Sequence, residues 1–274
     1  MAQFVIPNND GKLRNLWWVA LFFLILAAIT IPLVLLSQHY AFELSIFYQV
    51  IIITVVSIVC QAIIRQPLED LFGTLDINWI RSLSKGLLIG AALMLVPALV
   101  LLLAGVRWIA NPLELSSLLP ITVLFIAYAV SEELLFRGFI FQRLIAALGE
   151  WPAQLIISGF FMLAHLNNPG MTGSIKVLAS INIFFASILL GLAFIKTRSL
   201  ALPIGIHFMA NWVQGILLGF GVSGNQQPGL LKPVLNDAPV WLTGGNFGLE
   251  ASVPGLISVI ITIVFLYKWR PRHV

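Results

Sequence analysis

Long apolar runs constrain this chain more than any other feature. A helix that crosses a bilayer core needs about 20 mostly apolar residues. Eight stretches are candidates, at 16–37, 43–64, 83–105, 118–146, 151–167, 177–195, 200–220 and 252–269. In lipid the backbone must satisfy its own hydrogen bonds, so each run is read as a helix. The expected fold is all-α: a polytopic membrane helix bundle of about eight transmembrane helices, forming one integral membrane domain over 1–274. Composition agrees, since 59% of the residues are hydrophobic and 9% charged, against about 45–50% and about 25% in soluble domains. That excludes a water-soluble domain, a disordered chain and a disulfide scaffold, and the single cysteine, Cys60, sits inside an apolar run.

Lysine and arginine set the expected orientation. With the N-terminus in the cytoplasm, Lys12, Arg14, Arg65, Arg81, Lys85, Arg137, Arg143, Lys196, Arg198, Lys268, Arg270 and Arg272 fall on or toward the cytoplasmic side. Only Arg107, Lys176 and Lys232 fall outside, and the C-terminus is cytoplasmic too. This bias also explains the net charge of +4 without a nucleic-acid partner. The loop at 221–250 is the longest and is rich in glycine and proline; a loop of that length is functional or mobile.

The charges that do not sit in loops cluster. Span four contains Glu132, Glu133 and Arg137, span five His165, and span seven His207 and Asn211. A charge at the bilayer centre costs about 2.5–3.5 kcal/mol on insertion scales, so two adjacent glutamates need a reason. Glu133 and Arg137 are four apart, acid first, the favoured ion-pair order on a helix. Glu132 is rotated about 100° away and stays available. His165 lies as far beyond the turn at 149–151 as Glu132 lies before it, so the two can face each other. Counting from the 196–199 corner places His207 shallower by roughly 10 Å, a mismatch that a long, projecting fourth helix would remove. His207 and Asn211 share a face. His39 and His273 carry no expected role.

These residues can activate water in two ways. In one, Glu132, His165 and His207 hold zinc, whose bound water has its pKa lowered to about 7, and Glu133 serves as base. In the other no metal is needed: Glu132 takes the proton, the histidines position the water, and Asn211 supports the oxyanion. Both describe amide hydrolysis in or near the membrane. Zinc and no cofactor both stay open. The H-E-x-x-H and G-x-S-x-G signatures are absent.

E-E-x-x-x-R at Glu132, Glu133 and Arg137, then F-x-x-x-H at Phe161 and His165, then H-x-x-x-N at His207 and Asn211, resembles the CPBP family. That is the CAAX protease and bacteriocin-processing family, with its Rce1-type prenyl-protein endopeptidases. The resemblance covers about 118–220 and extends to Trp241–Gly248. It implies an intramembrane endopeptidase, a hydrolase often called a metalloprotease, with Glu132 activating water beside His165 and His207, Asn211 at the oxyanion, and Glu133 and Arg137 in support. The implied partners are the lipid bilayer and a peptide, bacteriocin precursor or membrane-protein substrate, lipidated in the CAAX case. The chain's brevity points to a bacterial inner membrane. A cytosol-facing cavity between spans four, five and seven is expected. Two readings compete: a non-catalytic immunity factor or scaffold, and a proton-coupled transporter. The crowding of polar residues into spans four, five and seven, with no counterpart in spans one to three, weighs against the transporter.

Overall fold

The computed structural model describes residues 12–269; Arg270, Arg272 and His273 lie outside the described residues. The helices are α1 (Lys12–His39), α2 (Ile46–Ile63), the short α3 (Glu69–Phe72), α4 (Ile77–Leu103), α5 (Leu115–Arg137), α6 (Phe139–Leu148), α7 (Glu150–His165), α8 (Gly173–Thr197), α9 (Ala201–Trp212), the one-turn α10 (Val240–Thr243) and α11 (Val253–Lys268). Strands β1 (Arg107–Ala110) and β2 (Leu231–Val234) form one antiparallel pair. The protein is an all-α membrane helix bundle. Five stretches are long and apolar enough to cross a membrane: Arg14–His39, Ile46–Ile63, Glu69–Leu103, Ser116–Leu148 and Gly173–Thr197. The apolar α7, α9 and α11 are shorter, at 16, 12 and 16 residues.

Each of the eight predicted stretches falls mainly on helix, but the fourth is not continuous. It breaks at Gly138, whose ψ is −123°. A Cβ there would collide with the Leu134 carbonyl oxygen, so the break needs glycine. Beyond it, α6 is amphipathic. It turns Phe139, Ile140, Phe141, Leu144 and Ala147 inward, and Phe139 stacks on Phe22 of α1 at 5.6 Å. The seventh stretch is α9 followed by a wider π-helical turn, Val213–Leu217. The long 221–250 loop is folded: it holds β2 and α10, and Trp108 in β1 donates to the Leu218 carbonyl at 3.1 Å.

Contacts sort the connections into two ends. At one end Arg198 pairs with Glu150 at 2.6 Å, Ser199 donates to the Phe72 carbonyl at 3.2 Å, and Lys196 donates to the Tyr267 carbonyl at 3.0 Å. This end gathers the α2–α4 connection, the α6–α7 and α8–α9 turns and the C-terminal end of α11. At the other end the β1–β2 pair, the Asn111 N–H to the Leu230 carbonyl at 2.9 Å and Gly224 against the Pro169 carbonyl gather the α4–α5, α7–α8 and α9–α11 connections.

A glycine seam holds α9 against α4. Cβ atoms at Gly86 and Gly90 of α4 would strike the Leu202 and Ile206 carbonyl oxygens, and one at Gly205 would reach the Leu83 carbonyl. Small residues four apart let membrane helices approach this closely, where packing rather than hydrophobicity drives association. Around the seam Leu93, Leu101, Leu189, Leu202, Ile206 and Val259 form one buried apolar cluster. A second, with Phe22, Ile53, Phe141, Leu144, Ile157 and Phe194, joins α1, α2, α6, α7 and α8. Replacing Gly90 by leucine is expected to cost about 1–3 kcal/mol, the usual range for overpacking. It should lower the thermal midpoint in detergent. Gly159→Ala, whose Cβ meets nothing within 4 Å, should leave that midpoint unchanged or raise it.

Candidate active site

The chemistry-bearing residues lie between the two clusters. Arg137, at the C-terminal end of α5, is fully buried. Its Nη1 donates to Glu133 Oε1 at 3.3 Å, and its Nη2 donates to Ser187 Oγ at 2.7 Å and to the Ser187 carbonyl at 3.1 Å. The guanidinium also sits 4.8 Å from the Phe161 ring centroid, in cation–π range. So the ion pair expected from i, i+4 spacing is present, and α8 completes it.

Glu133 does more than neutralise Arg137. Its Oε1 also accepts from His207 Nδ1 at 2.7 Å. A carboxylate oxygen only accepts, so Nδ1 carries the hydrogen and Nε2 points the other way with its lone pair. His165 is set in the same manner from its own helix. Its Nδ1 lies 2.7 Å from the Phe161 carbonyl oxygen, again an acceptor. Phe161 therefore serves twice, with its carbonyl orienting His165 and its ring covering Arg137.

Glu132 meets both outward-facing nitrogens. Its Oε2 lies 3.9 Å from His165 Nε2 and 3.8 Å from His207 Nε2. That oxygen is buried and has no hydrogen-bond partner. Three acceptors thus converge on a gap too wide for direct hydrogen bonds and of the width a bridging water fills. The expected depth mismatch of His207 does not occur. Glu132 stands six residues before the break at Gly138, and His207 six after the start of α9 at Ala201. Equal counts from adjacent ends of antiparallel helices give equal depth. The helix break accounts for the match, without the projecting fourth helix that the sequence suggested.

Two cavities meet at this gap. A small one of about 80 Å³ touches Glu132, His165, His207, Asn182, Asn211 and Glu250. A larger one of about 360 Å³ touches Glu132, His165, Asn211, Asn168, Ser223 and Asn225. A water needs only about 10–15 Å³ of such volume, so the small cavity has room for water and the large one for a larger group. Asn211, one turn beyond His207, lines both. A cavity of about 380 Å³ between α1 and α2 shares Gln49, Tyr128 and Leu135 with the large one but holds none of these acids or histidines. Chemistry rather than size identifies the site.

The arrangement bears on both versions of water activation. Among the described residues no group of three or more His, Cys, Asp or Glu side chains is placed to hold a metal ion. Glu133, the base in the zinc version, has its Oε1 taken by Arg137 and His207, while its buried Oε2 has no hydrogen-bond partner.

Several functional neighbours escaped the sequence. Ser187 anchors Arg137 from inside an apolar run and gives no signal there. Glu250 lines the small cavity. It accepts from the Ser223 N–H at 2.6 Å and from Gln214 Nε2 at 3.0 Å, and burial pushes its carboxyl up. A lone acid two residues before an apolar run was its only trace. The late-loop stretch packs through Phe247 onto Phe161, Met171 and Ile183, so it roofs the site.

Glu132, Glu133, His165 and His207 sit on α5, α7 and α9, within one continuous stretch of the chain. Residues 114–213 match the family model described as Type II CAAX prenyl endopeptidase Rce1-like. The matched stretch contains all three motifs that carry the resemblance, at Glu132–Arg137, Phe161–His165 and His207–Asn211. Curated proteins and solved structures gave no match.

Breaking the buried pair should hurt folding first. Arg137→Met strands Glu133 in an apolar interior, at about 3–5 kcal/mol. The expected outcome is loss of monodisperse protein in size-exclusion chromatography. The double variant Arg137→Met with Glu133→Gln should recover part of the yield.

Proposed function

We propose that the chain is an intramembrane endopeptidase that hydrolyses a peptide bond with water activated by Glu132. The observation that carries this reading is the unpartnered Glu132 Oε2 facing two histidine nitrogens, each ring fixed by a hydrogen bond on its far side. A water in the small cavity donates one hydrogen to Glu132 and the other to a histidine Nε2. Its oxygen attacks the carbonyl carbon of a segment in the large cavity, and Glu132 takes the proton. The carbonyl oxygen becomes an oxyanion that accepts from the Asn211 side-chain amide, a group that makes no hydrogen bond of its own among the described residues. Glu132 then passes its proton to the amide nitrogen, the C–N bond breaks, and acid and amine leave.

Glu133 and Arg137 are positioning residues in this scheme. They hold His207 and do not touch substrate. The family match supports a peptide or membrane-protein substrate, with a prenylated CAAX peptide as one class to test. A bacterial inner membrane suits the basic ends and the apolar helices.

The test is cleavage of a fluorogenic peptide panel, prenylated CAAX peptides included, by the full chain in detergent. Glu132→Gln should show no turnover while eluting like the wild type. Asn211→Ala should be slower by about 10²–10³, the usual loss for one oxyanion donor. A chelator should leave wild-type turnover unchanged. Loss with chelator and recovery with zinc would establish the metal version instead, and wild-type turnover in Glu132→Gln would remove Glu132 as the base.

A further inference from the structure

The large cavity has a closed floor inside the bundle and an open mouth at one end of it. Its floor lies at Phe136, and beneath that level Phe139, Ile140, Phe141, Ile157 and Phe194 are buried in one apolar cluster. Arg137, held by Glu133 and Ser187, closes what remains. Toward the end that carries the α6–α7 and α8–α9 turns the buried polar groups are tied up in packing, Arg137 on Ser187 and Gln154 on the Ile188 carbonyl, and the cavity of about 130 Å³ at that end touches none of Glu132, His165 and His207. The mouth is elsewhere. It is formed by Gln49 near the start of α2, Asn168 just past α7, and Asn225 and Gln227 in the folded loop. Those residues all belong to the end that carries the strand pair.

Charge tells the two ends apart. Among the described residues the closed end carries Arg65, Arg81, Lys85, Lys196, Arg198 and Lys268, and the open end only Arg107, Lys176 and Lys232. Lysine and arginine are retained on the cytoplasmic side of membrane proteins. The expectation of a cytosol-facing cavity and the orientation from the basic residues therefore cannot both hold. The charge count decides between them, since the open end is the poor one.

The lining describes what enters. Four side-chain amides, of Gln49, Asn168, Asn225 and Gln227, ring the mouth. Amides donate and accept, the pattern that pairs with a peptide main chain. No lysine or arginine lines either cavity, so no cation is present for a terminal carboxylate.

We propose that the site is loaded from the extracytoplasmic face and takes extended peptide segments through their main chain, cutting internal bonds there and not at cytosolic C-terminal tails. This rests on the endopeptidase reading for the cut, but the side of access stands independently.

The test uses the full chain in intact bacterial cells with a membrane-impermeant maleimide. The native Cys60 is fully buried and serves as the unreactive background. Gln49→Cys and Asn225→Cys should label in intact cells, and Arg81→Cys only after permeabilisation. Labelling of Gln49→Cys or Asn225→Cys only after permeabilisation overturns the proposal. In a second arm, internally quenched peptides, each with a free and an amidated C-terminus, are added outside sealed vesicles. Cleavage should occur in right-side-out vesicles, be lost in inverted ones and in Glu132→Gln, and be the same for both C-termini. Cleavage only in inverted vesicles, or only of the free acids, overturns the proposal. No cleavage from either side, with labelling as expected, overturns the endopeptidase reading and the substrate class, and leaves the side of access standing.

Discussion

A guanidinium with no access to water is the constraint around which this molecule is arranged. Arg137 is fully buried, and an uncompensated charge in such surroundings costs several kcal/mol. Glu133 and Ser187 answer it from α5 and α8, and Phe161 covers it from α7. Glu133 then reaches across to His207 on α9. One buried ion thus ties four helices at a single level, and the proposed reacting groups lie next to that tie. Structure and chemistry share these residues. The same carboxylate that neutralises the arginine also decides which histidine nitrogen faces the gap.

Much of this was legible in the sequence because membrane helices obey few rules. Apolar run length located the helices, and i, i+4 spacing found the Glu133–Arg137 pair and the shared face of His207 and Asn211. The break at Gly138 was not legible. Glycine is tolerated inside membrane helices, and only the clash with the Leu134 carbonyl shows that here it is needed. Ser187 was hidden for a related reason: a serine among apolar residues reads as filler until the arginine it holds is seen. The internal order of the loop at 221–250 was not legible either. Its order comes from distant partners, β2 on β1 and the Asn111 N–H on the Leu230 carbonyl, and long-range pairing leaves no local periodicity.

The helix carrying His207 and Asn211 is also the one most tightly seated. Backbone-to-backbone contact with α4 through Gly86, Gly90 and Gly205 leaves α9 no room to slide. A catalytic constellation has to be held to within about 0.5 Å, and a seam without side chains has no rotamers to loosen it. The roof is held by different means. Glu250 gathers Ser223 and Gln214, and Phe247 fills the space over Phe161. Rigid walls beneath a hydrogen-bonded roof are what the separation between a water-sized and a larger cavity requires.

The Glu133–Arg137 pair has a consequence for how the chain is made. Both partners lie on α5, so their contact needs no other helix. The segment can enter the bilayer during synthesis with that pair already closed. It then presents the insertion machinery with one uncompensated acid in place of three charges. Ser187 and His207 arrive later in translation and take up a partner that is already in place. Had the arginine stood on α8 instead, two segments would each have crossed with a naked charge and waited for one another in lipid.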